Sequence, residues 1–296
     1  MRRLLLLPLL LLLFAGCGPR SEPFGTGWTP PVLATPQIAA LENQMWDRVN
    51  RDRAARGLGA LQWDARLADI GRAHSLDMRQ HGFFAHQSPF TGTLEDRMNR
   101  AGYLALEMRE NLASATDIHK AEENLLVSPG HYENLMATGV THLGIGIMPG
   151  SPSGDPRLMT ITQVFARPTH LDSPDKAVHD ITAAIQAARA QRRLPALTQH
   201  PLLEQIARDQ VVTLPDDLPG HAIDRVSDAM GHALNNVKGH GLRSMQLSAQ
   251  VVFNATLFDL TATALDPRTR AIGMAAAPAR DEKGRPRVKV LTIFGH

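Results

Sequence analysis

The sequence predicts an α+β protein built as two tandem copies of one unit. Three observations carry that reading. Between residues 38 and 136 the apolar positions recur at helical spacing, and only then come two strand-like segments, 142–148 and 158–166, separated by a Pro/Gly-rich loop. Helices gathered ahead of an antiparallel hairpin mark α+β organisation rather than alternating α/β. The third observation is a repeat. A shift of 136 places Leu194-Pro195-Ala196-Leu197 over Leu58-Gly59-Ala60-Leu61 and pairs Arg53 with Arg189, Leu67 with Leu203 and Ile70 with Ile206. A shift of 129 pairs Gly144 with Gly273 and Phe165 with Phe294. Agreement at both ends points to a diverged duplication, and 296 residues accommodate two such domains.

The elements follow in order. Residues 1–17 (MRRLLLLPLLLLLFAGC) set Arg2 and Arg3 before an apolar stretch, with Ala15 and Gly16 directly ahead of Cys17. That is a secretory leader, too short to span a bilayer as a helix. A small pair before a cysteine resembles a bacterial lipobox, which implies a lipid on Cys17 and attachment to a membrane of the bacterial envelope. An ordinary leader with an incidental cysteine is the alternative. Residues 18–37, with Pro19, Pro23, Pro30, Pro31 and Pro36, read as an extended tether.

From there Ile38, Leu41, Met45 and Val49 form one helical face, stopped by Gly57. Asp64 stands as the N-cap of a second helix that carries Leu67, Ile70, His74 and Met78 on one side and ends at Gly82. Short helices are expected over 93–101 and 117–127, and Ser128-Pro129 reads as N-cap and first-turn proline of a further turn through Met136. The hairpin completes a first domain over 38–167. Residues 167–176 read as a linker, and the second domain occupies 177–296.

Composition narrows the function. One cysteine excludes an internal disulfide and a multi-cysteine zinc site. The 31 basic residues exceed the 29 acidic ones only by Arg2 and Arg3, so the chain without its leader is formally neutral and offers no field for nucleic acid. Neither an H-E-x-x-H helix nor a G-x-S-x-G elbow is present. Ser88, close to His86, reads as the start of a turn with Pro89 rather than as a nucleophile.

Six segments in the first domain stand out: Leu61-Gln62-Trp63-Asp64, Ala73-His74-Ser75-Leu76-Asp77-Met78, Phe84-Ala85-His86-Gln87-Ser88-Pro89, Arg109-Glu110-Asn111-Leu112-Ala113, Ser128-Pro129-Gly130-His131 and Thr162-Gln163-Val164-Phe165. In that order they resemble the CAP superfamily of cysteine-rich secretory, antigen-5 and pathogenesis-related proteins, in its secreted bacterial form. The resemblance implies an α-β-α sandwich with a central antiparallel sheet and a cleft in which two histidines and a glutamate converge. Carried over by motif, these are His86, His131 and Glu110, with His74 and Asn111 beside them. No residue matches the second glutamate of the eukaryotic relatives; Glu122 and Glu123 lie near its place but out of register.

Two imidazoles and a carboxylate are a reasonable ligand set for zinc or another divalent metal, with a position left for water. The same residues also suit a metal-free hydrogen-bonded cluster. His74, on an apolar helical face, reads first as a buried core histidine. The second copy keeps the apolar framework but has Gln210 at the place of His74, no glutamate in 244–249 and no histidine matching His131. The expected function is extracytoplasmic binding of a small apolar molecule, a lipid or an envelope component. A metal-dependent hydrolase and a scaffold that docks a partner through the second domain are the rivals.

Overall fold

Thr35 caps the first helix among the described residues. Its hydroxyl accepts from the Ile38 amide, with Pro36 in the first turn, so the helix begins inside the stretch expected to be tether. The computed structural model describes residues 32–296; the leader, Cys17 and most of the tether lie outside the described residues. The first unit runs α1 (Pro36–Ala54), β1 (Gln62–Trp63), α2 (Ala65–His81), α3 (Leu94–Arg100), β2 (Ala105–Ala115), α4 (Ile118–Val127), α5 (Pro129–Leu135), β3 (His142–Pro149) and β4 (Met159–Pro168). Asp64 caps α2 through the Arg66 and Leu67 amides, and Gly82 ends it in the left-handed region at φ 69°.

The sheet order is β1-β3-β4-β2. It is antiparallel, as expected of the central sheet, with the two-residue β1 added parallel to β3 at one edge. One face carries Met45, Val49, Leu125, Ile145, Ile161 and Phe165 under α1 and α4; the other packs Leu67, Ile70, Met98 and Val164 under α2 and α3. The result is three layers, helix–sheet–helix. Glycines set the α2 distance: a Cβ on Gly144 would stand 2.1 Å from the Ala68 nitrogen, and one on Gly146 1.9 Å from the Arg72 nitrogen.

The second unit contains α6 (Pro174–Gln191), β5 (Thr198–Gln199), α7 (Pro201–Val211), α8 (Gly220–Asn236), β6 (Met245–Val252), two 3-10 turns (Ala255–Leu257, Thr263–Leu265), β7 (Ala271–Arg280) and β8 (Pro286–Gly295). Its sheet order, β5-β7-β8-β6, repeats the first, including the parallel edge pair. Buried contacts recur at the same offsets. Arg53 donates to the carbonyls of Gly59, Leu135 and Ala137; Arg189 donates to those of Pro195, Ala264 and Asp266. Asn50 clasps the Leu61 backbone through both N–H and C=O, as Gln186 clasps Leu197. Gly273 lies against Leu203 and Glu204 as Gly144 lies against Leu67 and Ala68. The layer made by α4 and α5 is reduced in the second unit to the two 3-10 turns, yet the carbonyls that hold the arginine stay in place.

The junction is shorter than a 167–176 linker. β4 extends to Pro168 and α6 starts at Pro174, three residues ahead of the expected domain start. What remains is bound to the second unit: Asp172 is buried and accepts from the Ala255 amide, and the Asn254 side chain donates to Thr169 and His170. Across the units, Lys283 and Arg285 at the β7–β8 turn both pair with Glu95 on α3.

Candidate functional site

Glu110 lies on β2, opposite Val164 of β4, and its side chain is almost fully buried. A carboxylate in that position must find donors or lose its charge. It finds two. Oε1 accepts from His86 Nδ1 at 2.9 Å, and Oε2 accepts from Arg97 Nη2 at 2.5 Å. Arg97, on α3, is equally buried and also donates through Nη1 to the carbonyls of His86 and Gly92. One guanidinium therefore fixes both the carboxylate and the loop that presents His86, whose ring is largely open to solvent.

His74 lies under this pair with no exposed surface. Its Nε2 is 3.0 Å from the Ala85 carbonyl and 4.0 Å from Glu110 Oε1, while Nδ1 has no partner. Burial, reinforced by the Arg97 charge, lowers its pKa to about 4, so the ring is neutral at physiological pH and donates from Nε2. His131, on α5, is half-buried; desolvation and nearby His86 lower its pKa. It joins the site through its backbone, where its carbonyl accepts from Asn111 Nδ2 at 3.2 Å.

Asn111 is the hub of a second chain of bonds. Its Nδ2 also reaches Gln163 Oε1, its Oδ1 accepts from Asn134 Nδ2, and that same amide donates to the Glu110 carbonyl. Gln163 continues to Glu122 Oε2 at 3.2 Å. Glu122 on α4 is fully buried, its other oxygen has no partner, and desolvation raises its pKa to about 7.

The structure thus joins His86 to Glu110 directly, sets His74 beneath them and ties His131 and Asn111 in through amides. It does not arrange them as a metal-ligand set. Among the described residues no group of three His, Cys, Asp or Glu side chains is placed to hold a metal ion, and Arg97 occupies the Glu110 oxygen that a cation would need. These residues as they stand do not fit zinc. Arg97, Glu122 and Gln163 were not singled out as site residues from the sequence. The motif Thr162-Gln163-Val164-Phe165 held one of them, whereas Arg97 is one of several arginines on short helices and carries no signal of its own.

Beside this network a cavity of about 340 Å³ opens between α2, the loop after it and α3, lined by Ile70, Ala73, Leu76, Asp77, His81, Phe90, Thr91, Arg97 and Arg100 among others. Its loop is held by Asp77, whose carboxylate accepts from Ser88 Oγ, Thr91 Oγ1 and His81 Nδ1. Ser88 Oγ in turn accepts from the Phe90 and Thr91 amides, a turn rather than a nucleophile's setting. The His81 ring stacks on Phe90 with centroids 4.0 Å apart.

Residues 46–165 match the model of the cysteine-rich secretory protein (CAP) family. Two Bacillus subtilis proteins are similar over part of their length. The uncharacterized membrane protein YlbC is 36% identical over 107 residues, 36% of this chain and 31% of that protein. The uncharacterized protein YkwD is 33% identical over 117 residues, 38% of this chain and 44% of that protein. Among solved structures, an extracellular protein containing an SCP domain from Bacillus anthracis aligns at 32% identity over 46% of this chain and 45% of its own, with a TM-score of 0.41. The chain spans less than half the length of each of these relatives.

Proposed function

Starting from a CAP domain over residues 46–165, we propose that this protein is an exported, lipid-anchored binding module of the bacterial envelope, and that its first unit takes up a small apolar molecule, lipid or envelope component. The cavity beside Glu110 carries this reading. Its volume, about 340 Å³, falls in the range of small-molecule sites, and Ile70, Ala73, Leu76 and Phe90 give it apolar walls. Phe90, which follows His86 on the same loop and lines the cavity, stays 60% exposed, which leaves aromatic surface available to a ligand. The basic, apolar and small-residue segments that end at Cys17 support export and a lipid anchor.

The second unit is a degenerate copy of the CAP fold in this reading. It shares the strand order and the carbonyl-bound arginine of the first, while β6 places Leu247 opposite Ile293 in the register where β2 places Glu110 opposite Val164. Its role is contact, through the turn that grips α3 at Glu95.

Mass spectrometry of natively purified full-length protein tests the binding. Denaturation is expected to release a stoichiometric apolar compound from the wild type and none from Ala73→Leu, whose larger side chain fills the cavity. No released compound, together with no binding of the neutral probe N-phenyl-1-naphthylamine, contradicts the proposal. Intact mass of the mature N-terminus tests the lipid on Cys17.

A further inference from the structure

We infer that the cavity between α2 and α3 receives a small organic anion, an apolar ring or short chain that carries one negatively charged group held by Arg100. This rests on the binding reading above and adds the class of ligand. Size limits the body. At about 340 Å³ the space lies at the low end of ligand cavities, too small for a two-chain lipid, and Ile70, Ala73, Leu76 and the exposed Phe90 ring supply its apolar wall.

Charge sets the other end. One acidic residue lines the cavity, Asp77, and its oxygens are taken by Ser88, Thr91 and His81. Two guanidiniums line the same space. Arg97 spends both terminal nitrogens on Glu110 and on carbonyls, but its buried Nε–H has no acceptor. Arg100 donates only to the neutral Thr91 carbonyl, and no carboxylate lies within ion-pair distance of it among the described residues. Asp96, one turn back on α3, feels the Arg100 charge without pairing directly with it. A guanidinium with no direct ion pair, beside a second guanidinium with an unused donor, is complementary to a planar or tetrahedral oxyanion.

Two fluorescent probes that share one apolar body test this on the full chain: 8-anilinonaphthalene-1-sulfonate and its neutral counterpart N-phenyl-1-naphthylamine. The sulfonate is expected to bind once per chain and about tenfold more tightly at low ionic strength, the worth of one charge-assisted contact, with the margin shrinking as salt is added. Arg100→Gln, at an exposed position, should bring the sulfonate down to the affinity of the neutral probe and leave the neutral probe unchanged. Equal affinity of the two probes overturns the anion assignment while the apolar binding reading stands. Sulfonate affinity unaltered in Arg100→Gln also overturns it. Failure of both probes to bind overturns both readings.

Discussion

Arg97 and Glu110 form an ion pair from which water is excluded on both sides, joining α3 to the edge strand β2 with the His86 loop between them. Desolvation makes such a pair costly to break from one side, because the remaining charge is left buried. Arg97→Met is expected to destabilise the first unit by about 3–5 kcal/mol, and the double variant Arg97→Met/Glu110→Leu by clearly less than the sum of its single changes. His86→Ala, which removes a ring open to solvent, should cost no more than about 1 kcal/mol. Urea unfolding of these variants and of Glu110→Leu alone checks the order.

Glu122 and His74 give opposite pH dependences. A buried carboxyl whose pKa is raised to about 7 keeps its proton in the fold while the unfolded chain loses it, so its stabilisation falls as pH rises from about 4.5 to 7. A histidine lowered to about 4 stays neutral in the fold, so its stabilisation is lost as pH falls from 6.5 towards 4. Over the shared window the two offset each other. Glu122→Gln should remove the first and expose an acid-sensitive protein, with a relative loss on the order of 3 kcal/mol between pH 7 and pH 4.5. Melting curves across that range, compared with the wild type, provide the check; an unchanged pH profile would count against a neutral buried Glu122.

Gly144 and Gly273 predict matched injuries in the two units. Each is pressed against the backbone of the helix above it, where a Cβ would stand 2.1 Å and 2.2 Å from the nearest backbone atom. Alanine at either position should cost at least about 1–3 kcal/mol, since backbone rather than a flexible side chain must give way. Gly59→Ala, with nothing within 4 Å, serves as the control. Thermal unfolding of the three proteins decides it.

Glu95 couples the units. Its two partners, Lys283 and Arg285, come from the β7–β8 turn, and the helix it sits on carries both Arg97 and Arg100. Glu95→Ala should change global stability by no more than about 1 kcal/mol, as expected of partly exposed pairs. It should nevertheless speed amide exchange in α3 and weaken binding at the cavity. Exchange in α3 equal to that of the wild type would show that the contact does not hold the helix.

Local chemistry made much of this fold readable. Asp64 as a cap, Gly82 as a stop and the spacing of Met45 and Val49 depend on neighbours within a few residues, and each stands where the sequence places it. The offset between the units was legible because Arg53 and Arg189, 136 residues apart, and Gly144 and Gly273, 129 apart, meet matching backbone constraints. The strand β2 was not, because Arg109, Glu110 and Asn111 interrupt its apolar alternation with the residues that serve the site.

The sequence by itself determined the α+β class and the offset between matching segments, and the resemblance its motifs carry implied that His86 and Glu110 share a cleft. Only the tertiary structure decided what Glu110 does, by bringing Arg97 to one oxygen and His86 to the other, and what Asn111 and Gln163 connect. The physical reason is the same in each case. A buried polar atom must be satisfied by whichever donor strand register and helix packing bring within 3 Å, and that partner, 13 residues away for Arg97 and 52 for Gln163, leaves no period or spacing in the chain.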